Sequence, residues 1–319
     1  MNPVLESIKP IISNSKHVKT NIPKIKELAK KLSDFDFPEQ RYEFYPNVDR
    51  NGIIQFALVL NSINFQFQDL KSHLKFEINY NNQNYSGFFG LAYSLRRAIE
   101  NKIPVLDAKY LSNLSEQEAL KFLKANIIIP MFKDRVKILN DVGRTLVQKY
   151  GGQFSNFLKT SNKAFDNGNG LVERLVIDFP AFDDIRTYKP TNTIVKFYKK
   201  AQLMLAMLHC SPESGFRLDD IGELTVFADY NLPRALRDFG ILEYSKELAN
   251  NIDNFVMIIG GTDEEIEIRA HTIYASDLLC KEVNKLRKNK ITPNHIDEFL
   301  WLEGKKSKKP RHFTETIFY

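Results

Sequence analysis

Three positions combine a titratable side chain with apolar or aromatic surroundings. Asp229 stands in Phe227-Ala228-Asp229-Tyr230, Asp297 lies four residues before Trp301, the chain's single tryptophan, and Lys199 follows Val195, Phe197 and Tyr198. A carboxylate enclosed by aromatic groups is costly to bury unless donors satisfy it. A carboxylate beside a sugar carbon stabilises an oxocarbenium-like transition state, either electrostatically or as a transient nucleophile. Hydrolysis at a sugar carbon fits this inventory and needs no redox group. Other chemistries lack their signatures, since the sequence has no G-x-G-x-x-G, no G-x-x-x-x-G-K-[ST] and no G-x-S-x-G. The six histidines form no H-x-x-x-H pair and the two cysteines, Cys210 and Cys280, are far apart. Neither a cofactor nor a metal is expected.

The elements that must position these groups are mostly helical. Pro293 after Thr292 opens a helix in which Asp297 and Trp301 share one face. Ser115-Glu116-Gln117-Glu118 is a capping box, and Phe132, Val136, Leu139, Val142 and Leu146 mark a face that ends at Gly151-Gly152. Residues 22–32 read as an amphipathic helix, 233–239 as a short helix stopped by Gly240, and Thr262 caps a helix with Asp263, Glu264 and Glu265 in its first turn. Leu74, Phe76, Ile78 and Tyr80 alternate with polar residues before Asn81-Asn82, which predicts a hairpin and the only sheet of note. The expected class is mainly α with a small β-hairpin or sheet. No repeat or long linker divides residues 1–319, so one continuous unit is expected, with a loose subdivision near Asn167 if any.

With 319 residues, 43% hydrophobic and 26% charged, the chain can bury a sizeable core, and 24 phenylalanines with 13 tyrosines supply stacking surfaces. Two cysteines and no signal-peptide pattern point to a reducing, cytoplasmic setting, and no apolar run is long enough for a membrane span. The net charge of +6 suits a phosphorylated small molecule or a nucleic acid, but residues 305–311 alone carry five basic residues. A solvated basic stretch and phosphate attraction explain that run equally well.

Four segments, in order and spacing, resemble the queuosine salvage family, described as queuosine 5'-phosphate N-glycosylases or hydrolases. They are Ser62-Ile63-Asn64-Phe65-Gln66-Phe67, Phe197-Tyr198-Lys199-Lys200-Ala201-Gln202, Phe227-Ala228-Asp229-Tyr230, and Ile296-Asp297 with Leu300-Trp301. Tyr85-Ser86-Gly87, Glu265-Ile266-Glu267-Ile268-Arg269-Ala270 and the terminal Ile317-Phe318-Tyr319 add to the match. The resemblance implies a helical fold related to the helix-hairpin-helix DNA glycosylases. It also implies hydrolysis of queuosine 5'-phosphate to queuine and ribose 5-phosphate, for queuine salvage into tRNA modification. The partner implied is that small molecule, with neither a membrane nor a stable nucleic-acid partner, and the oligomeric state is left open.

By similarity to the family, Asp297 is the nucleophile or oxocarbenium stabiliser, with Trp301 packed beside it. On local sequence alone, a helix-start aspartate serving the dipole beside a core tryptophan is the simpler reading. Asp229 is expected to accept hydrogen bonds from the ring N–H and exocyclic amine of a guanine-like base while Phe227 stacks on its face. The competing reading makes Asp229 a turn or cap residue before Pro233. Lys199 is expected to hold the 5'-phosphate or a ribose hydroxyl, with Arg135 as a helper, against the alternative of a solvated lysine. His17 is a further binding candidate that is otherwise a surface histidine near the N-terminus. Asn64, Phe65 and Phe67 line either the pocket or the core, and Gln68 replaces the aromatic residue common at that place in the family. A base-excising nucleic-acid glycosylase and a non-catalytic carrier of a modified base or nucleotide are the alternative functions.

Overall fold

The computed structural model describes residues 2–37 and 42–319. Its helices are α1 (Pro3–Asn14), α2 (Ile22–Lys31), α3 (Arg50–Ser62), α4 (Gly87–Glu100), α5 (Ala108–Ser112), α6 (Glu116–Leu123), α7 (Phe132–Tyr150), α8 (Phe154–Leu158), α9 (Leu171–Asp178), α10 (Lys199–Cys210), α11 (Leu232–Asp238), α12 (Lys246–Asp253), α13 (Asp263–Leu286) and α14 (Pro293–Lys306). Its strands are β1 (Val18–Thr20), β2 (Glu77–Tyr80), β3 (Gln83–Ser86), β4 (Ile185–Tyr188), β5 (Thr193–Lys196) and β6 (Leu242–Tyr244). The chain is therefore mainly helical, with small antiparallel sheets pairing β1 with β6, β2 with β3, and β4 with β5. Two compact units are formed. One comprises Met1–Glu39, Asp184–Gln202 and Asp220–Glu315, the other Gln40–Asp183, Leu203–Asp219 and Thr316–Tyr319.

In the first unit α1, α2, α11 and α14 all pack against α13. That helix buries Ile266, Ile268, Ala270, Ile273 and Leu279 together with Glu265, Glu267, Arg269 and His271, so its polar groups must find partners inside the protein. Glu267 accepts the main-chain N–H groups of Lys16 (3.1 Å), His17 (2.7 Å) and Val18 (3.0 Å) and the Tyr188 hydroxyl (2.9 Å). His271 contacts the hydroxyls of Ser15 (2.9 Å) and Thr20 (2.7 Å), and burial lowers its pKa to about 4, which keeps it neutral at physiological pH. Together these bonds fasten the segment between α1 and α2, which main-chain propensity alone would leave loose.

The second unit is built around α7, with α5, α3 and α8 against it and the β2–β3 hairpin on α4. The expected face of α7 is buried at Val136, Leu139, Val142 and Leu146, and Gly151 ends the helix at φ 59°. The Ser115–Glu118 capping box is formed. Asn81 and Asn82 both take positive φ, 51° and 61°, the pair of left-handed residues that a two-residue hairpin turn requires.

Two strand expectations need correction. The hairpin begins at Glu77 rather than at Leu74, whose side chain is exposed, because the preceding residues form a loop closed by the Gln68–Lys75 bridge. The hairpin is also accompanied by two further sheets, whose strands of three or four residues are too short to show an alternation.

Candidate active site

The site is assembled within the first unit around residues 225–229, a stretch with no regular secondary structure. Such a segment must satisfy its main-chain groups from side chains, and it does so from three helices. From α10, Gln202 Oε1 accepts the Thr225 N–H (2.9 Å), while its amide nitrogen donates to Thr225 Oγ1 and to the Phe197 carbonyl (both 3.0 Å). From α14, Asp297 Oδ1 accepts the Phe227 N–H at 2.6 Å. From α13, Arg269 Nε donates to the Ala228 carbonyl at 3.3 Å.

Asp297 is the fifth residue of α14, beyond the first turn, so its carboxylate ties that helix to the loop instead of capping it. Thr292 and Pro293 start the helix, and the Thr292 N–H donates to His295 Nδ1 at 3.1 Å. With Oδ1 taken, Asp297 Oδ2 has no hydrogen-bond partner among the described residues. Asp229 Oδ1 accepts the N–H groups of Asn231 (2.6 Å) and Leu232 (3.2 Å), and its Oδ2 the Asn231 side-chain amide (3.3 Å). The turn-capping bonds foreseen before Pro233 are therefore present, and they fix the carboxylate in place.

Lys199 opens α10 after Tyr198, whose φ of 51° turns the chain sharply out of β5. Its side chain is buried, and among the described residues its ammonium makes no hydrogen bond or ion pair within 4 Å. The charges are nevertheless coupled. Burial pushes the Asp297 carboxyl well above the usual carboxylate range; Asp229 pushes it further, while the Phe227 N–H and Lys199 oppose. Burial also raises Asp229, against the pull of Lys199. Burial lowers Lys199, and the two carboxylates hold it up. Two acids and one base in a low-dielectric setting form one titrating group.

Phe227, Asp229, Lys199 and Asp297 are thus brought together, and Trp301 follows one turn along α14, partly buried, with the Lys305 ammonium 4.5 Å from its ring. The main chain of His17 is held by Glu267 and by Ser245, whose N–H donates to the His17 carbonyl at 2.8 Å. Arg135 is the residue expected as a helper of Lys199. It lies in the second unit, fully buried, and donates to the carbonyls of Pro130, Phe65 and Gln66 (the last at 2.9 Å), with its guanidinium 4.1 Å from the Phe65 ring. Its donors pin residues 65 and 66, and burial lowers its pKa to about 9.

The sequence alone gives Arg269, Asp184, Glu265 and Gln202 no role in the site. Arg269 forks onto both oxygens of Asp184, reaches Glu265 at 3.4 Å and lies 3.9 Å from the centre of the Phe197 ring, while the Asp184 carbonyl accepts the Phe197 N–H at 2.9 Å. One buried cation therefore braces both the approach to Lys199 and the loop carrying Asp229. The i, i+4 spacing of Glu265 and Arg269 was the available signal; Asp184, 85 residues away from Arg269, gave none.

Gly304 limits how α14 meets α11. A Cβ there would lie 2.3 Å from the Asn231 carbonyl oxygen and 2.8 Å from its carbonyl carbon, and Asn231 is the residue that holds Asp229. An exposed Gly→Ala change would favour the helix by about 1 kcal/mol, but overpacking against main chain costs about 1–3 kcal/mol and should prevail. Gly304→Ala is expected to lower the unfolding free energy and, in the folded enzyme, to raise KM; denaturant titration and steady-state kinetics check both.

Among the described residues, no group of three or more His, Cys, Asp or Glu side chains is placed to hold a metal ion, and no helix is long and apolar enough to cross a membrane. Fold and site together define a mainly helical protein with a centre of two carboxylates and one lysine, in which Asp297 and Lys199 are buried and Asp229 is partly so. The family model described as queuosine salvage protein matches residues 44–319. A queuosine 5'-phosphate N-glycosylase/hydrolase of Sphaerobacter thermophilus is 32% identical, covering 88% of this chain and 86% of its own length. Proteins of the same name from Bos taurus (27% identical, 98% of each chain) and Schizosaccharomyces pombe (28% identical, 94% of this chain and 91% of its own) are also similar. The chain belongs to the queuosine salvage protein family.

Proposed function

We propose that the protein hydrolyses the N-glycosidic bond of queuosine 5'-phosphate, with water as second substrate, releasing queuine and ribose 5-phosphate for salvage of the base into tRNA modification in the cytoplasm. The observation that carries this reading is Asp297, buried beside Asp229 and Lys199, with one oxygen fixed by the Phe227 N–H and the other unbonded. A carboxylate restrained on one oxygen presents the second in a fixed direction, without reorganisation when positive charge develops at the anomeric carbon.

In this reading the bond between the anomeric carbon and the base nitrogen breaks, the electron pair leaves with the base, and Asp297 Oδ2 balances the ribosyl cation until water adds. Water gives its hydroxyl to the sugar and its proton, in the end, to the departing base. A 7-deazaguanine has carbon where a purine has N7, so the usual protonation of that atom is denied and cation stabilisation must contribute more. Asp229 anchors the ring N–H and exocyclic amine through Oδ2, Phe227 and Trp301 flank the base and sugar, and His17 contributes to the substrate-binding wall. Lys199 holds the phosphorylated sugar by a hydroxyl and keeps the paired carboxylates ionised. Residues 1–319 act as one glycosidase unit, in a helical architecture akin to the helix-hairpin-helix DNA glycosylases; the short α11 stopped at Gly240 (φ 67°) and leading into β6 and α12 supports that kinship.

The test is incubation of the purified protein with queuosine 5'-phosphate, free queuosine and a queuosine-containing oligonucleotide, with released queuine detected by mass. Release from the monophosphate is expected. Release from the oligonucleotide alone would move the function to nucleic-acid processing, and tight binding without release would leave a carrier.

A further inference from the structure

The segment between α12 and α13 breaks the pattern of the surface around it. Phe255, Val256, Met257 and Ile259 are 60%, 48%, 51% and 66% exposed, whereas Ile258 among them is buried. Four large apolar side chains so close in sequence are not the scattered exposure that any protein surface shows. Residues 254–262 also carry no charge, in a chain of which 26% is charged. Phe255 ends α12 in a Schellman arrangement, with its N–H on the Ile252 carbonyl (3.0 Å) and that of Val256 on the Asn251 carbonyl (2.8 Å), and it takes φ 60°. That position favours glycine. The phenylalanine found there presents a mostly exposed ring, 5.8 Å from the ring of Phe313 between centres.

Only one edge of this segment is paired. The Ile258 N–H donates to the Phe313 carbonyl at 2.7 Å, within a parallel bridge between Met257 and Phe313. Main-chain groups of successive residues in an extended chain point to opposite sides, so the Met257 N–H and carbonyl face away from that bridge. Among the described residues neither has a hydrogen-bond partner, and the same holds for the Ile259 N–H and the Phe255 carbonyl. An apolar edge with free donors and acceptors is a template for another strand.

We propose that residues 255–259 pair antiparallel with the same residues of a second copy of the chain, about a two-fold axis at Met257. In that register Met257 exchanges N–H and carbonyl with its own mate, and each Ile259 N–H donates to the Phe255 carbonyl opposite. All four groups left over within one chain are then used. Met257 and Ile259, two residues apart, project from the face opposite to buried Ile258 and meet their equivalents. A second copy is the occupant that fits, because donors, acceptors and apolar side chains complement themselves, as a two-fold interface requires. The uncharged strip is also where two chains of net charge +6 approach with least repulsion. It offers on the order of 400 Å² per protomer, below the roughly 800 Å² per partner of a standard interface, so the dimer forms reversibly with concentration.

The test is sedimentation velocity of the full chain across the micromolar range in reducing buffer, which should show a monomer–dimer equilibrium. Met257→Lys places like charges on the axis, and Met257→Pro removes the central donor while sparing the Ile258–Phe313 bond; each should weaken the dimer about 10-fold or more. Ile177→Lys, at a position of α9 that is 73% exposed, should match wild type. Met257→Cys reads the register directly. Cα atoms of a hydrogen-bonded antiparallel pair lie about 5.5 Å apart, within disulfide reach, so mild oxidation should link that variant into a covalent dimer. Wild type, with Cys280 buried and Cys210 half-buried, and Ile194→Cys at another exposed site should stay unlinked. A monomer at every concentration, a dimer that Met257→Lys leaves intact, or no cross-link in Met257→Cys would overturn the pairing.

Discussion

Asp297→Asn should lower kcat on queuosine 5'-phosphate by about 10³-fold or more, a loss in the range set by removing a preorganised charge from a transition state. The substitution is close to isosteric, and the asparagine carbonyl oxygen can still accept the Phe227 N–H, so the loop keeps its attachment to α14. What disappears is the negative charge on the second oxygen. Because that charge matters when the sugar becomes cationic, kcat and kcat/KM should fall together while substrate affinity changes little. A parallel rise in KM with kcat preserved would instead make Asp297 a binding residue.

Stability separates the same two possibilities. The folded-state pKa of Asp297 is raised above that of the unfolded chain, so the folded state binds its proton more tightly. Its contribution to stability is present below the unfolded value, near pH 4, and is lost as pH rises through the folded one. At neutral pH the ionised carboxylate is thus a burden on the fold, and Asp297→Asn should be at least as stable as wild type there, with the difference vanishing on acidification. An aspartate kept only to support its helix would show the reverse. The same shift places the acid limb of the rate profile above the ordinary carboxylate range, since activity requires the ionised form and falls as pH drops.

The parts that could be read from the sequence were those governed by neighbours in the chain. Capping residues located α6 and α14, glycine located the end of α7, and two asparagines located the β2–β3 turn, because each works through bonds spanning a few residues. The sheets β1–β6 and β4–β5 escaped because strands of three or four residues carry no period. Asp229, Asp297 and Lys199 stood out because charge in an apolar context is conspicuous, yet the partner of Asp297 could not be inferred. It is a main-chain N–H 70 residues away, and a main-chain donor has no letter in the sequence. Likewise Glu267 looks like a helix-surface glutamate until three successive N–H groups of the N-terminal segment are found on it.

Arg269 is where this dependence on distant partners has the largest consequence for stability. Its charge is fully buried between Asp184 and Glu265, each about 1% exposed. Replacing it with methionine leaves two carboxylates buried without a cation, which should cost about 3–5 kcal/mol, a large part of what holds a domain folded. The triple variant Arg269→Met with Asp184→Asn and Glu265→Gln removes all three charges, so most of that stability should return, as it does when buried ion networks are replaced whole. Activity should not return with it, because the Ala228 carbonyl would still lack its donor and the loop between Phe227 and Asp229 its brace. Denaturant unfolding of both variants, beside kcat at temperatures where each is folded, separates the roles. If the triple variant regained stability and rate together, the network would be a structural element alone; stability regained with a rate still depressed about 10-fold or more would assign Arg269 the positioning of the base-binding loop.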